Sequence, residues 1–216
     1  MFELTPSYVP RAEIFINESV PMRLWRLHPS LEESLFTKAN SMGAAARLEA
    51  TPAHAPTAAG SFHWFYTVAA LRTELKALRW NFNDNNNCPL TVSLEKNVMI
   101  AVMTGDKDTG RPAGFPRNQG IKGVVLDKAI KKNLQLFAGQ DGAGSEGTEL
   151  WVFLYHVEVG GEIRMELSLP ASFVRGKIMG WKERIIFKPI DSRSEPKVLP
   201  SFPNEDIDFD VIRKKA

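Results

Sequence analysis

The residues with the most suggestive chemistry are clustered. Between positions 107 and 132 lie seven cations, Lys107, Arg111, Arg117, Lys122, Lys128, Lys131 and Lys132, against two acids, Asp108 and Asp127, a local charge of +5. The whole chain carries only +2, and residues 1–100 balance nine Lys/Arg with nine Asp/Glu. Concentrated basic charge of this kind is a footprint for phosphate. The stretch opens with residues 104–123, which hold five glycines, four cations and Phe115. Loops this long inside a compact domain are usually functional or disordered. Glycines let backbone N–H groups approach an anion, cations neutralise it, and an aromatic ring stacks on a base. Lys107, Arg111, Phe115, Arg117, Lys122, Lys131 and Lys132 are therefore the candidate nucleic-acid or phosphate-binding residues. The same composition also fits a solvated loop with no ligand.

Other constellations are thinner. No Gly-Lys-Ser/Thr closes a P-loop and no dinucleotide fingerprint is present, so the sequence calls for no cofactor. His28, His54, His63 and His156 have no metal-ligand spacing, and no metal site is expected. His63 and His156 read as packed core histidines. Asp106 and Asp108, next to an apolar strand, are the best carboxylates for a metal-dependent phosphodiesterase or nuclease. Glu95-Lys96 lacks the spacer such a site needs, and Glu74-Leu75-Lys76 sits within a helix. Residues 142–147 resemble a nucleophile motif but lack its strand–Ser–helix setting. Arg72, Lys76 and Arg79 form a basic helical stripe that could track a phosphate backbone, or simply face water. Lys182, Arg184 and Lys188 could extend that surface along a late strand.

Elements must position these groups. Residues 1–28 read as extended or irregular because of Pro6, Pro10 and Pro21. Ser30 and Glu33 form a capping box ahead of a helix over 31–48, weakened by Gly43. A second helix over 61–80 shows Trp64, Val68, Leu71, Leu75 and Leu78 as one apolar stripe. The Asn-rich residues 81–89 read as a tight connection. Strands over 90–95 and 98–103 follow, the second apolar on both faces and hence near a sheet centre. Asp127 caps a helix over 127–137. Residues 150–158 and 162–169 form a hairpin turned at Gly160-Gly161. A two-residue turn pairs Glu158 with Ile163 and His156 with Met165. It puts Val152, Leu154 and His156 on the face of Ile163, Met165 and Leu167, and Trp151, Phe153 and Tyr155 with Arg164, Glu166 and Ser168. A loop over 170–180 leads to a last strand over 182–187.

Helices first, then strands with one helix between, give an α+β class: N-terminal helices on a mostly antiparallel sheet. Residues 1–190 read as one domain and 191–216 as an extended tail, acidic and then basic, with Ile207, Phe209, Val211 and Ile212 as apolar hooks. Apolar residues make up 44% and charged residues 24%, the balance of a globular protein. One cysteine, Cys88, excludes an intrachain disulfide, and the N-terminus lacks the pattern of a signal peptide. The run over 98–103 is far too short to span a membrane. A cytoplasmic protein is expected, with nucleic acid or a protein as partner and no membrane.

Four stretches resemble uncharacterised proteins carried on bacterial integrative elements and plasmids. They are Arg72-Thr73-Glu74-Leu75, Ile100-Ala101-Val102-Met103-Thr104-Gly105-Asp106, residues 162–170 (Glu162 to Pro170), and Trp181-Lys182-Glu183-Arg184-Ile185-Ile186. Together they cover residues 70–190 loosely. The resemblance implies a bacterial, mobile-DNA setting and no catalytic residue. Three readings follow: a nucleic-acid or phosphate-ligand binding module on the basic loop; a protein-binding adaptor or inhibitor acting through the hairpin edge or the tail; and the metal-dependent nuclease. Catalysis is left open.

Overall fold

The computed structural model describes residues 12–84, 88–93, 95–121, 127–130 and 148–192. The chain forms β1 (Glu13–Phe15), α1 (Ser19–Leu27), α2 (Glu33–Arg47), α3 (Ala58–Ala77), β2 (Asn81–Asn83), β3 (Leu90–Ser93), β4 (Val98–Thr104), β5 (Glu149–Val157), β6 (Glu162–Val174), β7 (Lys177–Ile186) and β8 (Ile190–Asp191). The strands make one sheet in the order β1-β7-β6-β5-β4-β3-β2, with β8 paired to β6. This is the α+β class the element order implies. The sheet is mixed: β1–β7 and β4–β5 are parallel, and the other pairings among the described strands are antiparallel. Residues 127–130 are helical, and Ile130 is fully buried. The remainder of the helix expected to 137 lies outside the described residues. Among the described residues, no helix is long and apolar enough to cross a membrane.

Both faces of the sheet are covered. On one, α1, α2 and α3 lay Leu24, Phe36, Leu71 and Leu75 against Trp151, Phe153, Met165 and Leu167. Phe36 meets Phe153 and Phe187 at ring centroid distances of 5.0 Å. On the other face lie Met103, Val152, Leu154, Ile178 and Trp181, with Ile130.

The helix α1 appears where prolines pointed to irregular chain. Pro21 is its third residue, a position whose N–H has no intrahelical acceptor to lose. Val20, Leu24 and Leu27 point inward. Arg23 seats α1 on the sheet: its guanidinium lies 2.6 Å from Glu183 and over the rings of Phe15 and Trp151. The capping box is not used. The Ser30 hydroxyl meets His28 Nδ1 at 2.8 Å and accepts from the Trp80 indole, while Glu33 accepts from the Lys188 N–H. Burial of His28 and Trp80 takes the serine that α2 would have used.

The helix α3 ends in a Schellman turn: Trp80 N–H donates to Leu75 O and Arg79 N–H to Lys76 O, with Arg79 at φ +66. Leu78, the last member of the apolar stripe, is therefore exposed. Asn81–Asn83, expected to be a tight connection, instead pair with Leu90–Val92 as a strand.

The β5–β6 hairpin departs from its two-residue turn by one residue. Gly161 N–H donates to Glu158 O, Glu158 N–H donates to Glu162 O, and Gly161 takes φ +92. That is a three-residue loop closing on a left-handed glycine, and it pairs Tyr155 with Met165 and His156 with Arg164. A slip of one residue turns each side chain to the other face. So Trp151, Phe153 and Tyr155 join Met165 and Leu167 under the helices, while Arg164, Glu166 and Ser168 face the opposite side beside Val152 and Leu154. Residues 170–180, expected as a loop, continue the strands to a two-residue turn at Arg175-Gly176. Both turn residues have positive φ, 50° and 81°, as a type I′ turn requires. A β-bulge, where Leu169↔Glu183 is followed by Pro170↔Trp181, turns Trp181 toward the polar side.

Candidate functional site: a buttressed loop at the end of β4

The candidate loop starts where β4 ends, and residues 105–121 fold back over the polar face of β6 and β7. Gly105 bridges Asn118, and Asp106 N–H donates to Arg117 O at 3.0 Å, closing the loop at its base. Asp106 Oδ1 accepts from Asp108 N–H, and Asp108 Oδ2 accepts from Phe115 N–H. The two carboxylates proposed for a metal are thus employed in the loop's own turns. Among the described residues, no group of three or more His, Cys, Asp or Glu converges to hold a metal ion.

Beneath the loop lies an ion pair. Arg184 and Glu166 are 2% and 0% exposed. Arg184 Nε donates to Glu166 Oε1 at 3.0 Å and Nη2 to Oε2 at 2.5 Å. Ser168 Oγ donates to Oε1 and Gly110 N–H to Oε2. Two further guanidinium hydrogens reach up to the loop, to Gly114 O at 2.8 Å and Arg111 O at 3.1 Å. Arg164 adds a second prop, donating to Thr109 O and Lys107 O and pairing with Glu158 at 2.5 Å. That bond, above all, holds the Glu158 carboxyl below its ordinary range. Trp181 donates to Pro116 O, and Asn118 accepts from Ile178 N–H while donating to Gly176 O. Lys177 donates to the Asn118 and Gln119 carbonyls. His156 Nδ1 donates to Gly105 O at 3.1 Å, which makes it a satisfied structural histidine.

The outcome for the candidate residues is mixed. Lys107, Arg111, Phe115 and Arg117 lie on this one loop with exposed side chains. Phe115 is 80% exposed and Ile121 79%. Arg111 also pairs with Glu158 at 3.2 Å. Lys122, Lys131 and Lys132 lie outside the described residues, as do residues 142–147 and the tail from 193. The expected backbone cradle for an anion is not formed by Gly105, Gly110 and Gly114. Their N–H groups donate to Tyr155 O, Glu166 and Arg111 O.

Three other expectations are corrected. Arg184 does not extend a basic surface, because it is buried against Glu166. The stripe Arg72/Lys76/Arg79 is broken. Arg72 pairs with Asp84, donates to Leu90 O and covers the Phe82 ring, while Arg79 has left the helix in the left-handed cap. Nor is the β5–β6 hairpin an edge: β5 also pairs with β4, and β6 with β7 and β8. Sequence reasoning missed the buttress itself. Its signal was present as Arg164, Glu166 and Ser168, alternating polar residues in an otherwise apolar strand, and the two-residue turn had put them on the face of Trp151, Phe153 and Tyr155.

A second polar cluster is structural. His63 is fully buried between α2 and α3, stacks on Tyr155 at 4.4 Å, and donates from Nε2 to Asn40 Oδ1 at 2.6 Å. Burial pushes His63 down to about 3 and Tyr155 up to about 12, the latter despite a hydrogen bond with Thr104.

No protein-family model matches the chain, and no curated protein or solved structure matches it.

Proposed function

We propose that this chain is a nucleic-acid-binding module that reads a single strand with the loop over 105–121. The observation that carries the reading is Phe115, a ring 80% exposed on a loop whose backbone is fixed from below. Leaving a phenylalanine in water forgoes about 1.5–3 kcal/mol of burial. A ring held out on a braced loop is poised to recover that by stacking on a base, whereas a ring on a floppy loop would first have to be ordered. Lys107, Arg111 and Arg117 share the loop and would meet the flanking phosphates. Because the N–H groups of Gly105, Gly110 and Gly114 are spent, the arrangement favours an extended strand over a nucleotide phosphate clasped by backbone. A bacterial mobile-DNA setting and a cytoplasmic location, both expected from the sequence, belong to the same proposal.

The test is fluorescence anisotropy with labelled single-stranded DNA and RNA 12-mers over a salt series. Affinity should fall with salt, and Phe115→Ala should weaken it by about 1–3 kcal/mol, roughly 5- to 150-fold, if one base stacks. Lys107→Ala and Arg117→Ala should each lower the slope of log K against log salt by about 0.7. No binding at low salt, or binding indifferent to Phe115→Ala, refutes the proposal.

A further inference from the structure

The loop over 105–121 has a neighbour to which it is tied. Its last turn is stitched to the tip of the β6–β7 hairpin. Asn118 Nδ2 donates to Gly176 O at 3.0 Å, and Asn118 Oδ1 accepts from Ile178 N–H at 2.8 Å. Lys177 Nζ donates to Asn118 O at 2.7 Å and also to Gln119 O. The turn at Arg175-Gly176 is thereby fixed to the loop that carries Phe115 and Arg117.

This junction leaves apolar and basic groups together in water. Ile121 is 79% and Val174 54% exposed. From Pro170 to Lys182 the chain has no acid and three cations, Arg175, Lys177 and Lys182. Lys177 is committed to the loop carbonyls. Arg175 is exposed, and among the described residues its guanidinium has no hydrogen-bond or ion-pair partner. Its backbone is at φ 50, the first of two left-handed positions in the turn. Asparagine, aspartate and glycine suit that position, and an arginine there is held in a costly conformation. The turn gains nothing from the arginine that asparagine would not supply better, so the side chain is what needs a reason. A guanidinium is a planar, permanently charged fork that matches phosphate oxygens.

The distance suits the strand proposed above. Asn118 is three residues on from Phe115, at most about 11 Å at 3.6 Å per residue, and it touches the neighbour of Arg175. The two backbones therefore lie within roughly 25 Å, about seven nucleotides at 3.4 Å each. We infer that the strand-binding site does not end with the loop: a single strand stacked on Phe115 runs on to the β6–β7 turn, where Arg175 takes a phosphate and Ile121 and Val174 give apolar contact. The inference rests on the strand-binding reading of the loop.

The test is anisotropy of the full chain with labelled single-stranded DNA 12-mers of different sequence over a salt series. Arg175→Asn suits the turn and should fold at least as well as the parent by urea denaturation. It should nevertheless weaken binding to every 12-mer by a similar factor and lower the slope of log K against log salt by about 0.7. Arg175→Lys keeps the charge and should keep the slope. Arg79→Asn is the matched control. It removes another exposed arginine at positive φ, but from the end of α3 on the opposite face of the sheet, and it should change neither affinity nor slope. If Phe115→Ala weakens binding while Arg175→Asn alters nothing, the inference is overturned and the loop reading stands. It is equally overturned if Arg79→Asn acts as strongly as Arg175→Asn, since only net charge would then be read. Absence of binding by the parent at low salt removes the loop reading and the inference together.

Discussion

Glu166 and Arg184 meet diagonally across β6 and β7, and the hydrogen bonds they make beyond each other go to Ser168 and to the backbone of the loop above. Arg184 is in register with Ser168, and Glu166 with Ile186, so the pair spans one step of the ladder. A buried ion pair repays its desolvation only when the remaining donors and acceptors are also satisfied. Here the loop carbonyls of Arg111 and Gly114 and the Gly110 N–H supply three such partners. The loop is in effect part of the pair's solvation.

Breaking the pair from one side should therefore be costly. Arg184→Met leaves Glu166 charged and buried, and urea denaturation should show a loss of about 3–5 kcal/mol. The double variant with Glu166→Met should cost less than the two single losses added, because neither charge is left stranded. It should still lose protection of the Gly110 amide in hydrogen exchange.

Gly43 gives a prediction whose sign opposes helix propensity. Alanine in a helix is favoured over glycine by about 1 kcal/mol. A Cβ at Gly43, however, would lie 2.1 Å from Thr67 Oγ1 and 2.6 Å from His63 O. Gly43→Ala should destabilise the chain by about 1–3 kcal/mol in thermal or chemical denaturation, as overpacking does.

The acid limb of stability should carry the signature of His63. Its folded pKa is pushed down to about 3 by burial, against 6.5 for the free side chain. Between those values the unfolded chain binds the extra proton, so stability falls as pH falls from about 6.5 toward 3. The slope from this group is at most about 1.4 kcal/mol per pH unit. His28, also lowered by burial, acts in the same direction. His63→Gln keeps a donor for Asn40 and removes the titration. Denaturation midpoints compared at pH 6.5 and 4.5 should show a shallower decline in the variant.

The turn at Arg175-Gly176 offers a gain. Arg175 sits at φ 50, a region that suits asparagine better than arginine. Arg175→Asn makes the Asn-Gly pair favoured in a type I′ turn and should raise stability by about 0.5–1 kcal/mol by urea denaturation.

Helix α3 was legible in the sequence through its apolar stripe, and strand β4 through an unbroken apolar run that suits a strand covered on both faces. The long loop was legible as a unit through its glycines, prolines and cations. What could not be read was decided by tertiary partners. Ser30 reads as a cap until His28 and Trp80 compete for its hydroxyl. Pro21 reads as a helix breaker until it falls in a first turn. The hairpin was misplaced because Gly160-Gly161 is compatible with a two- or a three-residue loop, and one residue exchanges the two faces. Arg164 and Glu166 were then assigned to a face they do not share, while Arg184 read as one of three alternating cations on a late strand until Glu166 was found beside it. So Lys107, Arg111, Phe115 and Arg117 could be grouped on one loop from the sequence, but the braces beneath them could not be read there.

The parallel pairing of β1 with β7 has a consequence for how the chain assembles. The β1 edge is laid down against a strand made much later, and Arg23 finds Glu183 across 160 residues. During synthesis, β1 and the underside of α1 wait without their sheet partner until β7 has emerged. Contacts so distant in sequence slow folding, since loop closure must come before any of their stabilisation. The nascent chain would spend that interval with Phe15 and Leu24 open to other surfaces.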